Sequence, residues 1–562
     1  MPCNVEKFIH VICVPFCVRA PQNVLVNLDA VSKFVMASGV WTPGPAEGHG
    51  PVDGTKTDED VWARFREYQS RAYFHPFVRR FLFDDERVRR FHRRDVRRVG
   101  VSLGHWLMND FSLRLDVTRC ELALFQPDIG VLLLEVTNQQ PLELTEVELL
   151  FDAFRRLYPP YIDSFSNDGQ TVWKGGHCPL SVVLLGGDDG KKIVGDRGTY
   201  CEAESGDGRE SVFKPYVDAL LSDRPQDKLQ TSPLAEHWKT LLAPFDCSGA
   251  DGTTFRAHLL GDDRAPTMSW LAVLDPRLIS RGDWVRLCFA DDPGTSTLPY
   301  AADFVAQFER EFCYDRYWYT GSSSSWRLID NDDSPSRIVN SGYAFSYVGC
   351  SKDLRFFADE RNGAHATFRH IYVQLGLIAH FQKAALLSAS LRLSELVRRD
   401  ESGANILLPN PTQVREFYDH FVEFTQSFWF DEISPQEQGR ELFAAWRKHL
   451  RIQELYDEVR QELRDLVDYT EMGTARALNQ KLALFGTWGL RLAVLALAVG
   501  TLSLFAGVLG MNDPGESKWI HYLGLAMAAF VLPAAWIAST WTLRSVESRQ
   551  PGTGSSAMDV KR

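Results

Sequence analysis

The chain has 562 residues, 45% of them hydrophobic, and a formal net charge of −12 at pH 7. This length allows two or three domains with a sizeable core. The acidic balance argues against a protein organised around nucleic-acid phosphate, so no nucleic-acid partner is expected. Ten cysteines include one isolated pair, Cys13 and Cys17, which favours buried small hydrophobes over a zinc site.

The first 45 residues alternate like β-strands. The apolar segment 10–18 lacks a basic start and contains Pro15, so we interpret it as a first strand and not as a signal peptide. A strongly basic stretch, 60–98, has a helical pattern.

Segments 121–125 and 130–136 are separated by a Pro-Asp step, which predicts a β-hairpin. A helix is expected over 145–157, with Glu148 at capping-box spacing. Short apolar runs alternate with Gly/Asp loops from 160 to 300. We therefore expect an enlarged α/β domain over residues 1–365, placed in the cytoplasm.

Nine arginines lie between residues 79 and 98. Arg89, Arg93 and Arg97 follow i, i+4 spacing and would share one face of a helix. Such a face is either solvated and paired with neighbouring acids, or it contacts an anion or nucleotide, because Arg suits phosphate recognition.

Helical patterns dominate the C-terminal third, with a helical region over 366–435 containing helices at 367–399 and 411–429. No proline occurs between Pro435 and Pro514, which permits one helix of about 75 residues. Its part 436–491 is predicted to be a stalk. An apolar stripe on it suits packing against a copy of itself or a neighbouring helix; the stripe consists of Leu455, Val459, Leu463 and Leu466.

Segments 492–511 and 522–542 carry no charge over about 20 residues each, the length of a membrane span. They are joined by a short loop, 512–521, and followed by a tail, 543–562. Basic residues flank the outer ends of both segments, so both termini are expected in the cytoplasm. The sequence thus predicts a two-helix transmembrane hairpin in a multi-pass protein of the cell inner membrane, in contact with lipid.

The tripeptide Gly510-Met511-Asn512 ends the first apolar segment, and an acidic loop ending in Trp519 follows it. This arrangement resembles the CorA-type divalent-cation channels. The resemblance implies a homo-oligomer, a pentamer in that family, with a pore-lining first span. It also implies Mg²⁺, or another divalent cation, as the transported ion and as a regulatory ligand.

In that resemblance, oxygens of Gly510 and Asn512 form the selectivity ring, and Met511 packs between subunits. Glu516 would concentrate cations at the outer mouth, partly offset by Lys518. One helical face is predicted to line the pore or, alternatively, to let helices approach closely; its residues are Gly507, Ser503, Gly500, Ala496, Leu492 and Gly489. Gly500 and Gly489 stand where the family has bulky gate residues, which leaves gating open.

Three functions follow from these patterns. The first is a CorA-like channel gated by its cytoplasmic domain. The second is a nucleotide-gated CorA-like effector, of the kind associated with type III CRISPR antiviral defence. The third is a membrane-anchored domain without conduction. No nucleophile, base and orienting acid can be defended from sequence, so an enzyme is not expected.

Overall fold

The structure is a computed structural model. It describes residues 3–20, 26–44, 58–105, 108–126, 128–157, 161–167, 170–176, 181–187, 190–197, 234–247, 254–261, 264–294, 301–318, 335–397 and 410–510, together with Tyr522 and Ile537. The chain divides into two compact units. Unit 1 comprises Met1–Leu396 and Arg415–Leu463, and unit 2 comprises Val397–Val414 and Arg464–Arg562.

The described strands are β1 (Asn4–Arg19), β2 (Thr42–Pro43), β3 (Val88–His92), β4 (Val96–His105), β5 (Met108–Phe125), β6 (Ile129–Asn138), β7 (Leu142–Glu143), β8 (Tyr161–Asn167), β9 (Gln170–Gly176), β10 (Ser181–Gly186), β11 (Lys191–Arg197), β12 (Arg256–Leu259), β13 (Thr267–Val273), β14 (Cys313–Tyr314), β15 (Arg337–Asn340) and β16 (Ala344–Cys350).

The described α-helices are α1 (Leu28–Ala37), α2 (Asp58–Ala72), α3 (Pro76–Phe83), α4 (Leu144–Phe154), α5 (Glu236–Leu242), α6 (Arg281–Phe289), α7 (Ala302–Glu311), α8 (Ala364–Thr367), α9 (Val373–Leu396), α10 (Pro411–Ser427), α11 (Glu437–His449) and α12 (Ile452–Gly510). A 3₁₀-helix spans Pro276–Leu278, and a π-helix, Phe368–Tyr372, joins α8 to α9.

One large mixed sheet organises unit 1, with its main path in the order β11-β10-β4-β5-β6-β1-β13-β16-β15-β14. The β13–β16 pair is parallel, and the other described pairs are antiparallel. β1 lies between β6 and β13 and is buried over most of its length, because its apolar run continues on both faces. The predicted first strand and the β5–β6 hairpin are both confirmed.

Helices cover both faces of the sheet around β1. On one face Phe151 of α4 packs against Phe8 and His10. On the other, Met268 of β13 lies opposite Val11 and reaches α9 at Gly376. Neighbouring strand residues point to opposite faces, so α4 and α9 sandwich the centre of the sheet.

The predicted helix over 145–157 is confirmed as α4, but Glu148 does not take part in its cap. Glu143 is the N-cap, and the side chain of Glu146 accepts a hydrogen bond from the backbone N–H of Glu143 at 2.9 Å. Glu148 lies two residues after Glu146 and is buried.

The basic stretch 60–98 is helical only in α2 and α3 and then becomes strands β3 and β4. Val88, Phe91 and Val99 are buried in these strands. Their apolar contacts with the sheet outweigh the helical charge spacing, so the predicted arginine-bearing helix face does not form.

The predicted single helix after Pro435 is broken into α11 and α12. Arg451 adopts a left-handed conformation with φ of 53°, which ends one helix and starts the next. α12 has 59 residues and is about 88 Å long. Ile452, Tyr456, Val459 and Leu463 are buried along its first turns.

The predicted transmembrane hairpin is corrected by the structure. Among the residues that the structure describes, no helix is long and apolar enough to cross a membrane. A span needs about 20 consecutive apolar residues in one helix, enough to cross the hydrocarbon core of a bilayer. Segment 522–542 lies outside the described residues, apart from two positions.

The prediction of a two-helix transmembrane hairpin is therefore wrong for the described chain. Two further predictions depended on that hairpin: that the chain is a transmembrane protein and that it is a multi-pass protein of the inner membrane. Both are wrong for the same reason.

Candidate ligand-binding pocket

A cavity of about 260 Å³ opens in unit 1 where α2 faces the π-helix. Nine of its twelve lining residues are of polar types, and two of these nine are tyrosines. The lining residues are Arg66, Tyr68, Gln69, Ser70, Ala72, Tyr73, Asn362, Ala366, Thr367, His370, Ile371 and Gln436.

One wall is the C-terminal half of α2 and the residue after it. The amide of Gln69 donates a hydrogen bond to Oδ1 of Asn362 at 3.0 Å across the cavity. Beyond the helix, the hydroxyl of Ser434 donates to the carbonyl of Tyr73 at 2.5 Å, and the N–H of His75 donates to the carbonyl of Ile433 at 3.0 Å. The end of α2 is thus held against the segment that precedes α11.

The opposite wall begins at Gly363, the residue that precedes α8. A Cβ added at Gly363 would lie 2.0 Å from the carbonyl oxygen of Phe356, so only glycine fits there. The π-helix follows α8 directly and supplies His370 and Ile371 to the cavity. π-Helical turns often mark functional sites, because the extra residue displaces side chains from the regular helical positions.

The cavity is electrostatically biased towards anions. Its lining includes one guanidinium, Arg66, and one imidazole, His370, and no carboxylate among the described lining residues. Arg66 makes no ion pair with any residue in the described part of the chain. Burial raises the pKa of Tyr73, with a further contribution from Tyr317, so its phenol stays a neutral hydrogen-bonding group.

A buried ion-pair network lies beneath the π-helix. Nε of Arg369 donates to Oε1 of Glu135 at 2.7 Å, and Arg119 and Thr118 bind the same carboxylate, Thr118 at 2.6 Å. Burial alone raises the pKa of Glu135, but Arg119 and Arg369 outweigh it and lower that pKa to about 2. The residue beside His370 is therefore anchored to the sheet through a charged group.

The three arginines predicted to share a helix face are separated. Arg89 of β3 pairs with Asp29 at 2.9 Å. Arg93 is buried and donates to both oxygens of Asp95, at 2.9 and 2.6 Å. Arg97 is exposed on β4, and none of the three lines the pocket.

All six predicted pore-lining residues lie on α12. Gly489, Leu492, Ala496 and Gly500 are exposed there, and the hydroxyl of Ser503 donates to the carbonyl of Val499 at 2.8 Å. Gly507 and Gly510 belong to the same helix.

The remaining residues of the predicted ion path are Met511, Asn512, Glu516 and Lys518, and they lie outside the described residues. Within the described ranges, no group of three or more His, Cys, Asp or Glu side chains is arranged to hold a metal ion.

Sequence reasoning missed the pocket. Its residues come from positions 66–73, 362–371 and 436, which nothing in the sequence connects. Arg66 is one of many arginines in the basic stretch 60–98, so the sequence does not distinguish it from the others. A π-helix has no recognised sequence pattern.

No protein-family model matches the chain, and no curated protein matches it.

Proposed function

We propose that unit 1 is a receptor domain that binds a small anionic ligand of the nucleotide class in this pocket. The observation that supports the proposal is the lining itself: Arg66 and His370 together with uncharged hydrogen-bonding side chains, two tyrosines and no carboxylate.

Each part of a nucleotide has a suitable partner in such a lining. The guanidinium of Arg66, which makes no ion pair with the described residues, is available for phosphate. Amide groups of Gln69, Asn362 and Gln436 offer both donors and acceptors, as a base edge requires. Tyr68 is largely exposed and supplies an aromatic surface for stacking. A volume of about 260 Å³ limits the bound part to roughly one nucleotide.

The test is thermal denaturation of the full chain with AMP, ATP, 3′,5′-cyclic AMP and cyclic dinucleotides, and with inorganic phosphate. A ligand present at 100 times its Kd stabilises the folded state by about 2.7 kcal/mol. We expect at least one nucleotide to raise Tm, and Arg66→Gln to weaken its binding by about tenfold or more, because charged hydrogen bonds contribute about 1.5–3 kcal/mol.

The matched control is Arg64→Gln, which removes an arginine from the same helix outside the lining. Its affinity should equal that of the wild type. The proposal fails if no nucleotide raises Tm, or if both variants lose the same affinity.

Cation transport stays a prediction from the Gly510-Met511-Asn512 resemblance, and Met511 and Asn512 lie outside the described residues. Assembly into a homo-oligomer is supported by exposed apolar side chains on α12, among them Leu478, Leu482 and Phe485, which would be covered by copies of the same helix.

A further inference from the structure

A surface that carries several basic side chains lies at one edge of the sheet, on the face of β11, β10, β4 and β5 that the described helices leave uncovered. Val99 of β4 and Val182 and Leu184 of β10 belong to the same core cluster as Trp238 and Leu241 of α5. Alternate residues of these strands point the other way. That outward side is here called the edge face.

The strand register arranges the edge face in rows. In one row Lys192, Leu185, Arg98 and Asp116 lie side by side across four strands.

In the next rows Val183, Gly100 and Arg114 are neighbours, and then Ser181, Ser102 and Ser112. Three strand spacings make the edge face about 14 Å wide.

A β-bulge concentrates positive charge on this surface. The β4–β10 register shifts between Val96 and Arg98, so Arg97 is an extra residue, and both Arg97 and Arg98 are exposed. Arg98 pairs with Asp116 at 3.3 Å. Arg97 and Arg114 have no ion-pair partner among the described residues, and both are exposed.

Asp116 is the one acid in the described part of these rows, against Arg97, Arg98, Arg114 and Lys192. This local excess of positive charge contrasts with the net charge of −12 for the whole chain. The net charge of the whole chain led us to expect no nucleic-acid partner. That single value does not show that positive charge is concentrated on one surface.

We propose that the edge face binds the phosphate backbone of single-stranded RNA. Arginine binds phosphate in a bidentate manner, and the small residues Gly100, Ser102 and Ser112 let a backbone approach the sheet closely. No described side chain in these rows is aromatic, so bases have no stacking platform and binding is independent of sequence. A single strand fits a surface about 14 Å wide, on which the described cations lie in two rows and at the bulge.

The experiment measures fluorescence anisotropy of labelled oligouridine with the full chain between 25 and 200 mM salt. Each neutralised phosphate contributes about 0.7 to the slope of log K against log salt for single strands. We expect R97Q/R114Q to weaken binding at low salt and to reduce that slope by about 1.4. Neither substitution removes a described ion pair. K192Q on β11, at the end of the first row, should reduce the slope by about 0.7.

The charge-matched control is R79Q/R80Q, which removes two exposed arginines from α3, away from the sheet edge. It should leave the slope unchanged. The proposal is overturned if the control loses as much affinity as R97Q/R114Q, or if the wild type shows no salt-sensitive binding. Displacement of oligouridine by polyglutamate at equal charge concentration would overturn the assignment to RNA.

Discussion

Glu135 and Glu148 are both buried glutamates of unit 1, and their surroundings are opposite. Glu135 lies on β6 and binds Arg119, Arg369 and Thr118. Glu148 lies on α4, and neither of its carboxyl oxygens has a hydrogen-bond partner among the described residues. The exposed fraction is 0% for Glu135 and 2% for Glu148, so burial does not distinguish them.

The difference between the two residues is in their charge. Two guanidinium groups lower the pKa of Glu135 to about 2 in spite of burial, so it is ionised at neutral pH. Burial, reinforced by Asp283, raises the pKa of Glu148 well above its ordinary value, and Arg286 offsets this only in part. Neighbouring charges therefore decide whether a buried carboxyl group is ionised.

The largest effect is expected for Glu135→Gln. The substitution removes the carboxylate charge with which the guanidinium of Arg119, 6% exposed, is paired. Breaking a buried ion pair from one side costs about 3–5 kcal/mol. Guanidinium unfolding at pH 7 should show this loss, whereas Glu148→Gln should cause none. Equal losses in the two variants would contradict the comparison.

A smaller loss is expected for Arg369→Gln. The variant removes a charged hydrogen bond of 2.7 Å to Glu135, but Arg119 still neutralises that carboxylate. Arg369 is about one quarter exposed, so we expect about 2 kcal/mol, within the range for hydrogen bonds to charged groups. Urea unfolding measures it, with Arg355→Gln on an exposed loop as the neutral control. A loss of unfolding free energy smaller than that of the control would show that Arg369 does not contribute to the stability of the network.

The smallest effect depends on pH. Because the folded-state pKa of Glu148 is raised, its protonated form stabilises the fold below the unfolded value of 4.5, and this contribution is lost as pH rises. Glu148→Gln cannot ionise and escapes the loss. The variant should match the wild type at pH 4.5 and exceed it by about 1 kcal/mol at pH 5.5, in urea titrations. A stability difference that does not change with pH would contradict the raised pKa of Glu148.

Glu135 has the opposite pH dependence. Its lowered pKa gives stability that is present above 4.5 and is lost as pH falls towards about 2.

The sequence predicted the elements whose signals are local. The apolar run of β1 and the hairpin pairing of β5 with β6 are read directly from neighbouring residues, and both are confirmed. The helix beginning at Pro411 is confirmed for the same reason.

The failures come from residues whose partners are distant in the chain. Arg89, Arg93 and Arg97 have helical spacing, but Arg89 and Arg97 lie on strands that are fixed by pairing with β5 and β10. Arg93 lies between those two strands. The helix ends near Arg451 without a proline or glycine, so the sequence does not indicate the break. Pocket residues such as Arg66 and Asn362 meet only after the whole of unit 1 has folded.

The central position of β1 has a consequence for synthesis of the protein. β1 ends at Arg19, but its neighbours β6 and β13 begin at Ile129 and Thr267. Ribosomes add about 5–20 residues per second, so the second neighbour appears roughly 12–50 seconds after β1. During that interval one edge of an apolar strand has no permanent partner on the nascent chain, and this is the period in which the newly made protein is most exposed to aggregation.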